Sequence, residues 1–216
     1  MKIEFLDLGL TDYQTSRDIQ KQTFDRVKSG EFEHALISCQ HQPVITLGRQ
    51  ACLAGRQAKP VNLLVSEEEL KEKKIKLVNV ERGGDITYHG PGQLTVYPIF
   101  NLSLLKKDIH LFIRNLEITA INTLKHFNIN ACQKSGLTGV WVNDKKIASI
   151  GIAIRQWITY HGMTMNVNND DLSNFSLIRP CGMDIMMASV EGILGDNVEI
   201  EEVNKIFKKE IVKWPK

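Results

Sequence analysis

The sequence predicts an α/β protein, more closely an α+β arrangement in which helices flank a mixed sheet. Two observations lead there. Strand-like and helix-like stretches are interspersed along the chain, and several neighbouring strands are joined by turns too short for the crossover a parallel pair needs. No repeat, low-complexity tract or linker divides the 216 residues, so one domain spanning 1–216 is expected, long enough to bury a proper core.

The elements follow in order. "KIEFLDLG" reads as a first strand ended by Gly9, and Asp12 to Lys28 as a helix with Ile19, Phe24 and Val27 on a polar background, stopped by Gly30. "HALISCQHQPVITLG" gives two short strands around Pro43, and Arg49 to Pro60, with no period, reads as an exposed loop. Ser66 with Glu69 is a capping-box signature opening a short charged helix to about Lys74. "KIKLVNVE" alternates as a strand, a glycine-rich stretch follows, and "QLTVYPIFNL" resumes strand character. Asp108 to Phe127 carries Leu111, Phe112, Leu116, Ala120 and Leu124 at helical spacing. Asn143-Asp144 marks a turn between β-branched runs, and two further strands break near Gln156. "NNDDLSNFSLIRPCG" is a polar loop, and Glu199 to Trp214 closes as an amphipathic helix.

Composition excludes several classes. Net charge is +2 and the pI about 8.3, too mild for a nucleic-acid footprint. The four cysteines, Cys39, Cys52, Cys132 and Cys181, form no CxxC pair and no zinc-ligand spacing, so neither a metal site nor a disulfide framework is expected. With no secretory signal and no apolar run of membrane-spanning length, a cytoplasmic location with free thiols and no membrane partner is expected.

Chemistry concentrates in three places. "VERGGDITYHGPGQLTVYP" puts four glycines between two strands, more than a hairpin needs, and Gly83-Gly84 permits a close approach of backbone to a ligand. It matches neither GxGxxG nor a P-loop, so nucleotide binding is unsupported. His89 and His161 each precede a glycine at a strand end, where a side chain faces a cleft, whereas His34, His41, His110 and His126 read as structural. In "LIRPCGM", Cys181 lies between Pro180, which fixes φ, and Gly182, which permits an unusual turn, so the loop presents a thiol rigidly. Cys39, Cys52 and Cys132 fall in or beside apolar segments, where a buried inert thiol is expected. A nucleophilic thiol needs a group that favours its thiolate, and Lys146, entering an apolar strand just after a turn, has that chemistry. Spacing alone does not show whether positions 146 and 181 meet.

These residues bring out a family pattern. "RGGDITYHGPGQLTVYPIFNL" resembles the signature of octanoyltransferases, the lipoate-biosynthesis acyltransferases, through Arg82, Gly83, Gly84, Thr87, Tyr88, His89, Gly92, Gln93 and Tyr97. The likeness continues in "HQPVITLGR", "GVWVNDKKIASIGI", "YHGMTMNVNNDDL" and "IRPCGM", in the same order over most of the chain. It implies a fold similar to lipoate and biotin protein ligases, and an octanoyl group passed from the phosphopantetheine thiol of acyl carrier protein to Cys181. The acyl group then goes to a lysine of a lipoyl domain, in 2-oxoacid dehydrogenase subunits or the glycine-cleavage H protein. By the same pattern Lys146 completes the dyad, and no cofactor or metal is implied. Arg82, Gly83, Gly84, Asp85, Ile86, Thr87, Tyr88 and His89 would line the acyl site with Ser149, Ile150, Gly151, Gly162, Met163 and Thr164. A monomer is expected.

Thioester exchange between thiols is nearly neutral and thioester to amide is downhill, so the chemistry implied needs no ATP. Two departures stand out: Thr164, where many relatives carry a small apolar residue, and Asp85, a carboxylate within the glycine loop. Both leave the acyl-chain preference open. Two other readings use the same residues. An ATP-dependent lipoate or biotin ligase would lose activity without ATP, and a non-catalytic module binding lipoyl domains or carrier protein would be indifferent to Cys181→Ala.

Overall fold

The computed structural model describes residues 1–54 and 60–214; the side chains of residues 52–54 and of Cys181 lie outside the described residues. The chain runs β1 (Glu4–Thr11), α1 (Tyr13–Lys28), β2 (His34–His41), β3 (Val44–Leu47), α2 (Arg49–Ala54), α3 (Glu67–Glu72), β4 (Lys76–Asn79), β5 (Ile86–His89) and β6 (Gln93–Phe100). It continues through α4 (Ile109–Lys125), β7 (Cys132–Lys134), β8 (Leu137–Val142), β9 (Lys145–Arg155), β10 (Ile158–Asn166), α5 (Val190–Leu194) and α6 (Ile200–Ile211).

Two mixed sheets result. The larger has seven strands in the order β1-β2-β6-β10-β9-β8-β7, with β1 and β2 parallel and the other pairs antiparallel. The smaller, β4-β3-β5, joins one parallel and one antiparallel pair. Alternation sorts the larger sheet's faces. Leu36, Val96 and Phe100 pack with Leu116, Ala120 and Leu124 of α4 and Phe207 and Ile211 of α6. Ala35, Ile37, Tyr97 and Ile99 face the other way, towards Val27 of α1. The smaller sheet has its own core, where Ile45, Leu47 and Tyr88 meet Leu70, Phe175 and Ile178.

The local signals act as their chemistry requires. Asp12 caps α1 through the Gln14 N–H, Asp108 caps α4 through the Leu111 N–H, and Ser66 and Glu69 form the reciprocal capping box. Gly9 does not end β1; it sits at φ +58 in a bulge, and the strand resumes to Thr11. Arg49–Ala54 is a helix of six residues, too short to print a period in the sequence, and residues 55–59 of the expected loop lie outside the described residues. Cys39 is buried, but Cys132 is exposed on edge strand β7, contrary to the expectation from its apolar neighbours; the Cys52 side chain lies outside the described residues. Among the described residues no helix is long and apolar enough to cross a membrane.

Candidate active site

A cleft opens between the two sheets. The end of β5 and the loop before it form one wall, the middle of β9 and β10 the floor, and Pro180 and Tyr13 close the sides. Arg82, Gly84, Asp85, Ile86, Thr87 and His89 line the first wall. Lys146, Ser149, Ile150, Gly151, Gly162, Met163 and Thr164 line the floor.

Glycine is required where wall meets floor. Gly83 donates its N–H to the Ile152 carbonyl at 2.8 Å, tying the loop to β9. A Cβ on Gly151 would stand 3.0 Å from both the Gly83 carbonyl and Cδ of Arg82, so a side chain there would press on the loop. Gly151 thus lets the loop approach β9 at a backbone contact.

Two expected lining residues lie elsewhere. Gly83 supports the wall from behind through that hydrogen bond. Tyr88 is fully buried on the face of β5 opposite to Thr87 and His89, because successive side chains of a strand alternate; its hydroxyl donates to Asp171 at 2.9 Å and accepts from Asn174.

The polar groups in the cleft are arranged in depth. Arg82, 8% exposed, donates to the carbonyl and hydroxyl of Thr46 at 2.8 and 2.9 Å, bracing the loop against β3. His89 lies 3.1 Å from the Thr164 hydroxyl, which lies 3.1 Å from that of Thr95. The hydroxyl at position 164 therefore orients a histidine. Below them His41 is 2.7 Å from the Tyr97 hydroxyl. Burial pushes His41 and His161 down to about 4 and holds His89 well below the usual histidine range; Arg82 adds to the effect at His89 and His161. These rings are neutral at pH 7, so the basic side chains lining the cleft are Arg82, which braces the wall, and Lys146.

Lys146 is 5% exposed, at the start of β9, with Nζ 5.3 Å from the Trp141 ring centre. Its N–H donates to Met186 and its carbonyl accepts from Ala188, both at 2.9 Å, so the segment after the Pro180–Gly182 turn is stitched to this strand. That turn begins with Pro180 and carries Gly182 at φ +68. The Arg179 N–H donates to the Asn62 carbonyl at 2.9 Å, and the Asn62 amide donates to the Asp85 carboxylate. Lys146 and Pro180 therefore border one cleft. The Cys181 side chain itself lies outside the described residues.

Tyr13 and Tyr97 also line the cleft without having been expected there, and His161 lines it as its place before a glycine suggested. Tyr13 follows the Asp12 cap, so the first turn of α1 points it inwards, stacked on His89 with ring centres 6.2 Å apart. A cap followed directly by an aromatic was the available signal. Tyr97 was visible only as a matching position of the glycine-rich pattern, and His161 as a histidine before a glycine.

Comparison with known proteins bears on the family and the fold. Residues 12–212 match the model of the lipoyl protein ligase A/B catalytic domain. The chain is 48% identical over 204 residues to an octanoyltransferase of Thermoanaerobacter pseudethanolicus, covering 94% of this chain and 86% of that one. Among solved structures, lipoate-protein ligase A bound with ATP has a TM-score of 0.75 at 18% identity, covering 99% of this chain and 85% of the other. The bi-partite lipoate protein ligase of Thermoplasma acidophilum, studied with its E2 lipoyl domain, has 0.72 at 19%, covering 99% and 83%. At such identities the likeness to these two structures is one of fold.

Proposed function

Since this chain belongs to the lipoyl protein ligase A/B catalytic family and, within it, to the octanoyltransferases, we propose that it moves an octanoyl group from acyl carrier protein to lysine side chains of lipoyl-domain proteins. The observation that carries the mechanism is the convergence of Lys146 and the turn holding Cys181 on a cleft whose histidines are neutral.

In the first step the Cys181 thiolate attacks the octanoyl carbonyl. The new C–S bond forms, the bond to the phosphopantetheine sulfur breaks, and the departing thiolate takes the proton that Lys146 removed from Cys181. In the second, the ε-amine of the acceptor lysine attacks the enzyme thioester. The amide C–N bond forms, the C–S bond breaks, and the proton lost by the amine returns through Lys146 to the Cys181 sulfur. Ile150, Met163 and the glycine floor offer the apolar surface for the chain, each buried methylene contributing about 0.8 kcal/mol. No step needs ATP or a cofactor, and the acceptors are lipoyl domains of 2-oxoacid dehydrogenase subunits and the glycine-cleavage H protein.

The test is intact mass after mixing the protein with octanoyl-carrier protein in the absence of ATP, alongside Cys181→Ala. A hydroxylamine-labile octanoyl adduct on the parent alone is expected. Transfer that requires ATP, or an adduct that survives in Cys181→Ala, would overturn the reading in favour of a ligase or of another nucleophile.

A further inference from the structure

Behind Lys146 lies a charged group that the proposed chemistry does not use. Glu117 sits on α4, which packs against β8, and has no exposed surface. One carboxylate oxygen accepts the Gly139 N–H at 2.9 Å, and the other accepts from the half-exposed Arg114 at 2.7 Å. A carboxylate taken out of water is costly unless its hydrogen bonds are made, and here one of them fixes the backbone of a neighbouring strand.

That backbone is unusual in two ways. Gly139 has φ +129, open to glycine and strained for other residues. A Cβ at this position would stand 2.5 Å from Cε of Lys146, 3.2 Å from its Nζ and 2.6 Å from the Ala148 carbonyl oxygen. The end of the lysine thus occupies the space that a side chain at 139 would fill. The strand pairing is irregular at the same point: Trp141 faces Lys146 and Val140 faces Ala148, leaving Ile147 as the extra residue of a bulge. Such a bulge re-aims the side chain beside it.

We propose that Glu117 and Gly139 are positioning residues for Lys146. Glu117 holds Gly139 in its left-handed conformation, Gly139 leaves the channel along which the lysine runs, and the bulge turns the chain into the cleft. The inference rests on the reading of Lys146 as partner of Cys181, and it adds two residues, from α4 and β8, that touch no substrate.

The experiment compares Gly139→Ala, Glu117→Ala, Glu117→Gln, Lys146→Ala and the double variant Gly139→Ala/Lys146→Ala. Three quantities are read: octanoyl-adduct formation, the pH midpoint for iodoacetamide alkylation of the Cys181 peptide, and melting temperature. Adduct formation is expected to fall about 100-fold in Gly139→Ala and about tenfold in Glu117→Ala, and Glu117→Gln, which keeps the acceptor oxygen, to return within about threefold of the parent. The alkylation midpoint should move in Glu117→Ala in the same direction as in Lys146→Ala. The melting temperature lost in Gly139→Ala should be partly regained in the double variant, because the lysine atoms are gone and the contact with the Ala148 carbonyl remains.

A Glu117→Ala protein that melts lower yet keeps the parent's adduct rate and alkylation midpoint would reduce Glu117 to a structural prop and overturn the proposal. Should Gly139→Ala fail to fold, the two Glu117 variants still decide it. If Lys146→Ala leaves both chemical readouts unchanged, the dyad fails, whereas the melting-temperature coupling between 139 and 146 still reports whether that space is reserved for the lysine.

Discussion

Lys146 reaches the cleft on a strand in the interior of a seven-stranded sheet, its backbone bonded to Met186 and Ala188 and its side chain fitted against Gly139 and Trp141. The opposing turn, Pro180 to Gly182, has no sheet of its own. Among the described residues, the segment entering it is held by backbone bonds from Arg179 to Asn62 and from Leu64 to Leu177, and the Asn62 amide is in turn tied to Asp85 in the opposite wall. One side is therefore held by steric fit and the other by a few polar bonds. Substitutions that disturb packing should therefore cost more stability on the sheet side than on the turn side.

The largest effect tests whether the two sides act together. Lys146→Ala should lower octanoyl-adduct formation about 1,000-fold, within the range for loss of a general base, while the protein stays folded. A parent-like rate in this variant would mean that the cleft brings the sides together without chemical consequence.

Steric fit comes next. A Cβ on Gly162 would collide with the Val96 carbonyl and stand 2.8 Å from Cδ of Pro98, both in adjoining strand β6. Gly162→Ala should cost about 3 kcal/mol, seen as an earlier urea midpoint. On the turn, a Cβ at Gly182 would meet only the Asn62 amide at 3.6 Å, so the φ of +68 is the sole strain, and Gly182→Ala should cost about 1 kcal/mol. Equal losses would erase the distinction between the two sides.

Acid should also act on the sheet side. His41 is buried and held neutral, its folded value near 4 against 6.5 in the unfolded chain. Between those values the unfolded state binds a proton that the folded state does not. The stabilisation is complete above pH 6.5 and lost as pH falls towards 4, on the order of 3 kcal/mol for this one ring. His161 adds to it in the same direction. Melting temperature should drop by roughly 10 °C between pH 7 and 4.5. The turn's own ion pair, Arg179 with Asp184, is exposed at 46% and 87% and should contribute little. A flat profile would show that the buried rings titrate without cost to the fold.

The sequence already contained the elements that have a chemistry of their own: the caps at Asp12, Ser66 and Asp108, and the Asn143-Asp144 hairpin. It was silent on α2 and α5, which have six and five residues and so less than two turns of period, and on β7, which has three. Most of the cleft wall was legible because a specific pattern of residues marks it. Glu117 was not. Three residues after Arg114 on an amphipathic helix, it reads as half of a surface ion pair, and only tertiary packing buries it. Asn62 was hidden for a similar reason, since an asparagine in a polar loop gives no sign of the distant carboxylate it bonds.

Asn62 carries the smallest and most discriminating prediction. Its carbonyl takes the Arg179 N–H whatever its side chain, so Asn62→Ala leaves that bond available and removes only the tie to Asp85. Without the tie, the turn and the wall lose their mutual registration, and adduct formation should slow about tenfold at nearly unchanged melting temperature. Asn62→Asp should be slower still, because it sets two carboxylates face to face, and exchanging the pair through Asp85→Asn should recover most of the loss. The order of these three rates separates a hydrogen bond that positions the turn from one that merely fills space. If all three match the parent, the turn is held from its far end, through the bonds of Met186 and Ala188 to Lys146, and both sides of the cleft hang on the same strand.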